Sequence, residues 1–181
     1  MPPRYERVFL EWPGHGTVPP DPRVVNFDDL VALVTARMDR PVDLVAQSMG
    51  GALAIRAALD RPAMVHHLVL TATSGGVDLS RFDAEEWRVS YREEYRGAAA
   101  SASLLEYRTD LSDRIRTIQA PALLIWGDSD PISPVAVGEY LASLLPRSKL
   151  IVIPGGSHMF AEEQAAEIAP YIASHLALEM P

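Results

Sequence analysis

The stretch Val45-Ala-Gln-Ser-Met-Gly-Gly51 follows an apolar, strand-like run and passes directly into a helix-forming segment. In a strand, sharp turn and helix of this kind, the Ser48 hydroxyl points off the edge of a sheet, and the small residues Ala46 and Gly50 let strand and helix approach closely. The free N–H of Met49 and the helix dipole would face whatever the serine attacks. A serine that only caps the helix would show the same local pattern.

Short β-branched runs alternate along the chain with longer segments of helical periodicity. The strand candidates are residues 8–12, 42–46, 67–71, 122–126 and 149–153, and the helix candidates are residues 27–38, 50–59, 135–145 and 161–176. This alternation is typical of parallel sheets, because each parallel connection must cross back over the sheet. We therefore predict an α/β fold in which helices flank a mostly parallel central sheet of about five or six strands, within a single domain spanning residues 1–181.

The composition is that of a globular protein and excludes several classes of function. The chain has 181 residues, of which 48% are hydrophobic and 22% charged, enough for one domain with a substantial core. Because cysteine is absent, disulfides, thiolate metal sites and a cysteine nucleophile are excluded. The excess of 24 acidic over 16 basic residues disfavours nucleic acids and anionic membranes as partners. Since the sequence shows neither a targeting segment nor a membrane-length apolar run, we expect a cytoplasmic location.

Two later loops carry the residue types that would activate a serine. Asp128 and Asp130 directly follow the strand candidate at 122–126, and a carboxylate there would orient a histidine and stabilise its cation. Asp130 is the favoured acid, since an aspartate beside a glycine, such as Asp128, commonly satisfies turn backbone groups. His158 follows the last strand candidate and has the placement of a general base. Because the carboxyl ends of parallel strands share one sheet edge, we expect Ser48, Asp130 and His158 to meet there.

Residues 77–107 interrupt the alternation with a charged, helix-prone stretch. Because this stretch lies between two strand candidates, we interpret it as a short, cap-like helical excursion over the carboxyl edge of the sheet. A surface connection without function is the alternative. A pocket beneath the excursion would suit a small or medium acyl or aryl group. The residues expected to line this pocket are Trp12, Phe82, Trp87 and Met159.

Four motifs together resemble those of the α/β-hydrolase superfamily, over residues 8–176. They are Trp12-Pro-Gly-His-Gly16, the nucleophile elbow Ala46-Gln-Ser-Met-Gly-Gly51, the acid turn Leu124-Ile-Trp-Gly-Asp-Ser-Asp-Pro131 and the histidine loop Gly155-Gly-Ser-His-Met-Phe160. The resemblance implies a minimal or N-terminally shortened version of that fold, of the serine esterase or lipase kind. It also implies that Ser48 is the nucleophile, His158 the base and Asp130 the orienting acid, with the Met49 N–H as one oxyanion donor.

The chain departs from this family's pattern before Ser48. The family places a strand beside the nucleophile strand, and the loop after that strand supplies the second oxyanion N–H. The segment between Gly16 and Ser48 has room for one helix but not for this additional strand. Either the sequence starts inside a longer gene product, or the strand at 8–12 has moved beside the strand at 42–46. The second alternative predicts that N–H groups of Gly14 or His15 face Ser48.

The function predicted from the combined motifs is hydrolysis of a carboxylic ester or similar small acyl compound through an acyl-serine. This chemistry requires no metal or other cofactor. Cleavage of carbon–carbon bonds, hydrolysis of thioesters and perhydrolase chemistry would use the same triad and stay open as alternatives. A non-catalytic or truncated member of the family is a third alternative, in which an uncovered sheet edge would favour homo-oligomers.

Overall fold

In the part of the chain that the structure describes, the sheet consists of four parallel strands that lie in their order along the chain. The structure, a computed structural model, describes residues 6–15, 17–94, 105 and 110–178. All three pairings are parallel, so the four carboxyl ends lie along one edge of the sheet. This architecture confirms the predicted α/β class and four of the five strand candidates. The strands are β1 (Val42–Gln47), β2 (Val65–Thr71), β3 (Ala122–Gly127) and β4 (Ser148–Ile153), and the sheet order is β1-β2-β3-β4.

Helices fill the crossovers between these strands. Helix α1 begins with a capping box, in which the Asn26 side chain accepts the Asp29 N–H and Asp29 Oδ2 accepts the Asn26 N–H. None of the described helices is both long and apolar enough to cross a membrane. The helices are α1 (Phe27–Thr35), α2 (Met49–Asp60), α3 (Arg88–Glu94), α4 (Ser112–Ile115), α5 (Val135–Leu144), α6 (Phe160–Glu163) and α7 (Ala165–Leu176), with 3-10 turns at Pro62–Met64 and Leu79–Arg81.

Each face of the sheet has its own hydrophobic core, because successive side chains of a strand point to opposite faces. The larger core joins one face of the sheet to α1, α2 and α5, and the smaller core joins the other face to α6 and α7. Leu68 and Leu124 lie in the larger core, whereas Val69 and Ile125 lie in the smaller one. Strand β3 is buried along its whole length, but every residue of β1 keeps some exposure to solvent.

The fifth strand, predicted at residues 8–12, does not form. This segment has no regular secondary structure, and Val8 and Phe9 are 60% and 84% exposed, although Leu10 and Trp12 contact the larger core. Within the described residues β1 pairs with β2 alone, so the segment has not moved beside β1. An apolar run becomes a strand only where a neighbour accepts its backbone hydrogen bonds. The described sheet therefore has four strands instead of five or six.

The excursion predicted at residues 77–107 contains the second 3-10 turn and α3, and it contacts the loop that follows β3. The Glu85 N–H donates to the Pro131 carbonyl at 2.7 Å, which fastens the excursion to the carboxyl edge of the sheet. Residues 95–104 and 106–107 of the predicted excursion lie outside the described residues.

Candidate active site

Ser48 lies between β1 and α2 in a backbone conformation that few non-glycine residues adopt. Its φ is 51° and its ψ is −124°, and Ala72, with a φ of 45°, is the other described non-glycine residue with positive φ. Such a conformation costs roughly 1–3 kcal/mol and persists only where the surroundings enforce it. Here the Ser48 N–H donates to the Thr71 carbonyl of the neighbouring strand at 3.0 Å. The Ser48 side chain forms no hydrogen bond that caps α2, so capping does not explain the residue.

Two glycines after Ser48 differ in how much space they have. A Cβ placed on Gly50 would lie 3.7 Å from the Ala46 Cβ, which is an ordinary van der Waals distance. A Cβ on Gly51 would lie 2.3 to 2.6 Å from three side-chain atoms of Thr73, beyond the end of β2. The close approach expected between Ala46 and Gly50 is present, but Gly51 is the residue for which a side chain has no room.

The structure brings Ser48, His158 and Asp130 into one hydrogen-bonded chain. His158 Nε2 lies 2.9 Å from Ser48 Oγ, and His158 Nδ1 lies 2.8 Å from Asp130 Oδ2. Because an ionised carboxylate only accepts hydrogen bonds, Nδ1 of the neutral ring carries the proton and Nε2 faces the serine hydroxyl as an acceptor. In this arrangement the histidine can take the serine proton while the aspartate stabilises the resulting cation.

Asp130 is held in place independently of the histidine. Its side chain is 0% exposed, and Oδ1 accepts the N–H groups of Ile132 and Ser133 at 2.9 and 3.0 Å. These two bonds fix the orientation of the carboxylate and leave Oδ2 directed at His158. The turn after β3 therefore presents the acid in a single geometry.

The loops that carry Asp130 and His158 are in direct backbone contact. A Cβ on Gly127 would lie only 2.1 Å from the Gly156 carbonyl oxygen, so neither position has room for a side chain. The Ser129 N–H donates to that same carbonyl at 3.0 Å. Asp128 Oδ1 accepts the Gly155 N–H at 2.7 Å, which is the backbone-satisfying role expected of this aspartate.

Gln47, directly before the serine, belongs to the site although the sequence did not single it out. Its side-chain amide donates to the His158 backbone carbonyl at 3.0 Å. A residue of β1 thereby holds the loop that carries the histidine. The acceptor is a backbone carbonyl, which any residue carries, so the type of residue at position 158 does not reveal the bond. The signal that the sequence offers is the position of Gln47 beside Ser48.

A cavity of about 630 Å³ opens where these elements meet. Trp87 and Met159 line it as predicted, whereas Trp12 and Phe82 do not. Trp12 contacts the larger core, and the Phe82 ring packs against Tyr140 with centroids 5.7 Å apart. The excursion contributes one wall of the cavity and the hydrogen-bonded chain contributes another. The lining includes Ser48, Met49, Trp87, Arg88, Tyr91 and His158.

The N–H groups of Gly14 and His15, predicted as oxyanion donors, are used within their own loop. Gly14 donates to the Val18 carbonyl and His15 donates to the Trp12 carbonyl, both at 3.0 Å. Neither donor is free for an oxyanion, contrary to the prediction. His15 instead contacts the excursion, because its Nε2 lies 2.5 Å from the Tyr91 hydroxyl.

Comparison with protein families agrees with this arrangement of strands and loops. The model of a family described as "Alpha/beta hydrolase family" matches residues 2–171. The chain belongs to the alpha/beta hydrolase family. The resemblance inferred from the four motifs is thereby confirmed. In this family member, the candidate residues meet at the carboxyl edge of the sheet.

Curated relatives of this alpha/beta hydrolase carry hydrolase and esterase names. A protein named "Uncharacterized hydrolase YugF" from Bacillus subtilis (strain 168) is 24% identical over 220 residues, which cover 96% of this chain and 81% of the relative. A "Pimeloyl-[acyl-carrier protein] methyl ester esterase" from Chromobacterium violaceum is 27% identical over 211 residues, which cover 93% of this chain and 82% of the relative. These relatives support an enzyme of the hydrolase type.

Solved structures share the fold of this alpha/beta hydrolase. A meta-cleavage product hydrolase from Pseudomonas fluorescens IP01 superimposes with a TM-score of 0.74 at 18% identity, covering 90% of this chain and 76% of that one. A bromoperoxidase from Bacillus anthracis gives a TM-score of 0.69 at 20% identity, covering 90% of this chain and 78% of that one. Because one fold serves many reactions, these similarities establish the architecture alone.

Proposed function

We propose that the protein is a serine hydrolase that cleaves a carboxylic ester or related acyl compound through an acyl-serine intermediate. The observation that carries this proposal is the hydrogen-bonded chain from Ser48 through His158 to Asp130, on the wall of a cavity. The strained backbone at Ser48 supports it, since such conformations cluster at active sites. The esterase names of the curated relatives support an acyl substrate.

In the proposed acylation step, Ser48 Oγ attacks the carbonyl carbon of the bound ester. His158 Nε2 takes the hydroxyl proton, and Asp130 stabilises the imidazolium that forms. The bond between the carbonyl carbon and the alkoxy oxygen then breaks, and His158 returns the proton to the departing alcohol. The acyl group stays on the serine until water, deprotonated by the same histidine, releases the acid.

The Met49 N–H is the proposed donor for the negative oxygen of the tetrahedral intermediate. Met49 is the first residue of α2, so no carbonyl lies one helical turn behind it to accept its N–H. It also lines the cavity next to Ser48. A donor of this kind is typically worth roughly 10²–10³ in rate.

The size and lining of the cavity favour a small-molecule substrate with an apolar part. Its volume of about 630 Å³ lies within the range of roughly 300–1,000 Å³ that is common for small-molecule sites. Met49, Trp87 and Met159 provide apolar surface near the serine. We therefore place the acyl or alkyl chain of the ester against these three side chains.

An active-site probe tests the proposal directly. A fluorophosphonate is expected to label the wild-type protein and not Ser48→Ala, and p-nitrophenyl butyrate hydrolysis is expected to be lost in that variant. Ser90→Ala is the matched control, since Ser90 lines the same cavity but its hydroxyl donates to the Trp87 carbonyl. Absence of labelling at neutral pH, or equal labelling of Ser48→Ala, would refute the proposal.

A further inference from the structure

Arg88 places a guanidinium on the wall of the cavity that also holds Ser48 and His158. Its side chain is 20% exposed, and its Nε is buried without a hydrogen-bond partner among the described residues. A buried donor left unpaired is unfavourable, and more so when the group is charged. The guanidinium is therefore oriented for a partner that the described part of the protein does not supply.

A contact with one aromatic ring, itself packed against a second ring, holds Arg88 in position. Its guanidinium carbon lies 4.8 Å from the centroid of the Trp87 ring, in a cation–π contact. The Trp87 ring meets the Tyr91 ring edge to face with centroids 5.5 Å apart, and Tyr91 is hydrogen-bonded to His15. This row of rings fixes the guanidinium on the cavity wall before any ligand binds.

The carboxylates near Arg88 neutralise it only in part. Glu86 Oε1 lies 3.3 Å from Arg88 Nη1, and because the Glu86 side chain is 60% exposed, this ion pair contributes little. Asp78 also lines the cavity. The N–H and the hydroxyl of Ser80 donate to its carboxylate and are the main cause of its lowered pKa, to which the charges of Arg81 and Arg88 also contribute. Among the described residues, no carboxylate therefore pairs with the Nε side of the guanidinium, where one half of a two-point contact would form.

We propose that Arg88 binds a carboxylate of the substrate. On this proposal, which rests on the proposed function, the ester attacked by Ser48 belongs to a molecule with a second, free carboxyl group, such as the half-ester of a dicarboxylic acid. The Nε and a terminal nitrogen of a guanidinium match the two oxygens of a carboxylate. Because the chain has a net charge of −8, a cation inside the cavity is also needed to favour an anionic substrate against the overall field.

A pair of esters that differ only in the carboxylate tests this assignment. The substrates are mono-p-nitrophenyl glutarate and p-nitrophenyl pentanoate, and the measured quantity is the ratio of their kcat/KM values. We expect the wild-type ratio to exceed about 10, and Arg88→Gln to lower it by roughly 10- to 100-fold, mainly through the KM of the glutarate. Arg88→Lys keeps the charge without the planar fork and should give an intermediate ratio.

Arg92→Gln is the control variant, because Arg92 is an exposed residue of the same helix and does not line the cavity. It should leave the ratio within about threefold of the wild-type value. A wild-type ratio below one would overturn the assignment. The same would follow if Arg88→Gln lowered kcat/KM equally for both esters, since Arg88 would then only support the fold.

A binding measurement separates this inference from the proposed hydrolysis. Monomethyl glutarate is titrated into Ser48→Ala protein, and isothermal titration calorimetry measures its binding. Saturable binding that weakens at least tenfold in the Ser48→Ala, Arg88→Gln double variant supports the carboxylate site even if the wild-type protein hydrolyses neither ester. Absence of binding at millimolar concentration overturns it even if Ser48 is labelled by the fluorophosphonate.

Discussion

The half of the candidate site that carries Asp130 and His158 is held together by backbone contact between its two loops, whereas the half that carries Ser48 joins it through side chains. The first half follows β3 and β4, and its two loops meet through the backbone contact between Gly127 and Gly156. Ser48 follows β1, which, like β4, is an edge strand of the described sheet and pairs on one side only. Ser48 is therefore positioned by the pairing of β1 with β2 and by the helix that follows it, with no described strand on the other side of β1.

The largest effect is expected inside the half whose loops are joined by backbone contact, at Asp130. Asp130→Asn keeps the shape but presents the wrong tautomer of His158 to the serine, so kcat for ester hydrolysis should fall by about 10⁴-fold. Asp128→Asn is the control, because Asp128 bonds Gly155 and not the histidine. It should change kcat by less than about tenfold. A kcat of Asp130→Asn within tenfold of wild type would show that the aspartate does not orient the base.

A second prediction contrasts a glycine from each half. Gly127→Ala should lower the free energy of unfolding by about 3 kcal/mol, because the new Cβ has no room against the Gly156 carbonyl. Gly50→Ala should leave it unchanged or raise it by up to about 1 kcal/mol, because alanine is the better helix former and its Cβ would lie at an ordinary distance from Ala46. Urea unfolding measures the change in both variants, and equal losses of stability would contradict the difference in backbone packing between the two halves.

A third prediction concerns the bond that joins the two halves. Gln47→Ala removes the hydrogen bond to the His158 carbonyl, which should lower kcat/KM by about tenfold through misplacement of the histidine. The free energy of unfolding should fall by only about 1 kcal/mol. Gln119→Ala, at an exposed position outside the site, is the control. Unchanged kinetics with reduced stability would assign Gln47 a purely structural role.

The smallest effect is expected at the opposite edge of the sheet, where the ring of His175 on α7 packs beside His67. The ring centroids are 5.3 Å apart, and the His67 Nδ1 lies 2.7 Å from Asp43 Oδ1. Burial, together with the neighbouring His67, lowers the pKa of His175. The unfolded chain therefore binds the proton at a higher pH than the folded chain does, and stability should fall as the pH drops below about 6.5.

This pH dependence is measured by urea unfolding at pH 7.5 and pH 5.5. One such histidine contributes a slope of at most about 1.4 kcal/mol per pH unit, and His175→Gln should remove that contribution. The exposed His66→Gln should retain it. An unchanged slope in His175→Gln would mean that the acid sensitivity arises elsewhere.

The central strands could be predicted from the sequence because their apolar runs are buried on both faces. The same prediction was wrong at residues 8–12, where a mostly apolar run pairs with no described strand. Composition reports how well a segment would fit into a sheet, whereas pairing depends on which segments lie next to each other. Sequence reasoning lacked this information for the β1 edge, and it therefore also misplaced Gly14 and His15.

Within the site, the residues with distinctive chemistry at strand ends could be named from their order along the chain. Gln47 and Arg88 could not be named in this way, for different reasons. Gln47 acts on a backbone carbonyl, which every residue possesses, and the orientation of Arg88 depends on packing against Trp87. Such contacts are created by the fold and leave no spacing pattern in the sequence.

The positive φ of Ser48 implies a trade-off between stability and function at the serine. Glycine adopts this conformation at little cost but has no hydroxyl, so the chain keeps a strained residue where a relaxed one would fold better. Ser48→Gly should therefore raise the free energy of unfolding by about 1 kcal/mol in urea titrations while abolishing turnover. The variant would therefore be more stable than the wild-type protein and would lack the nucleophile.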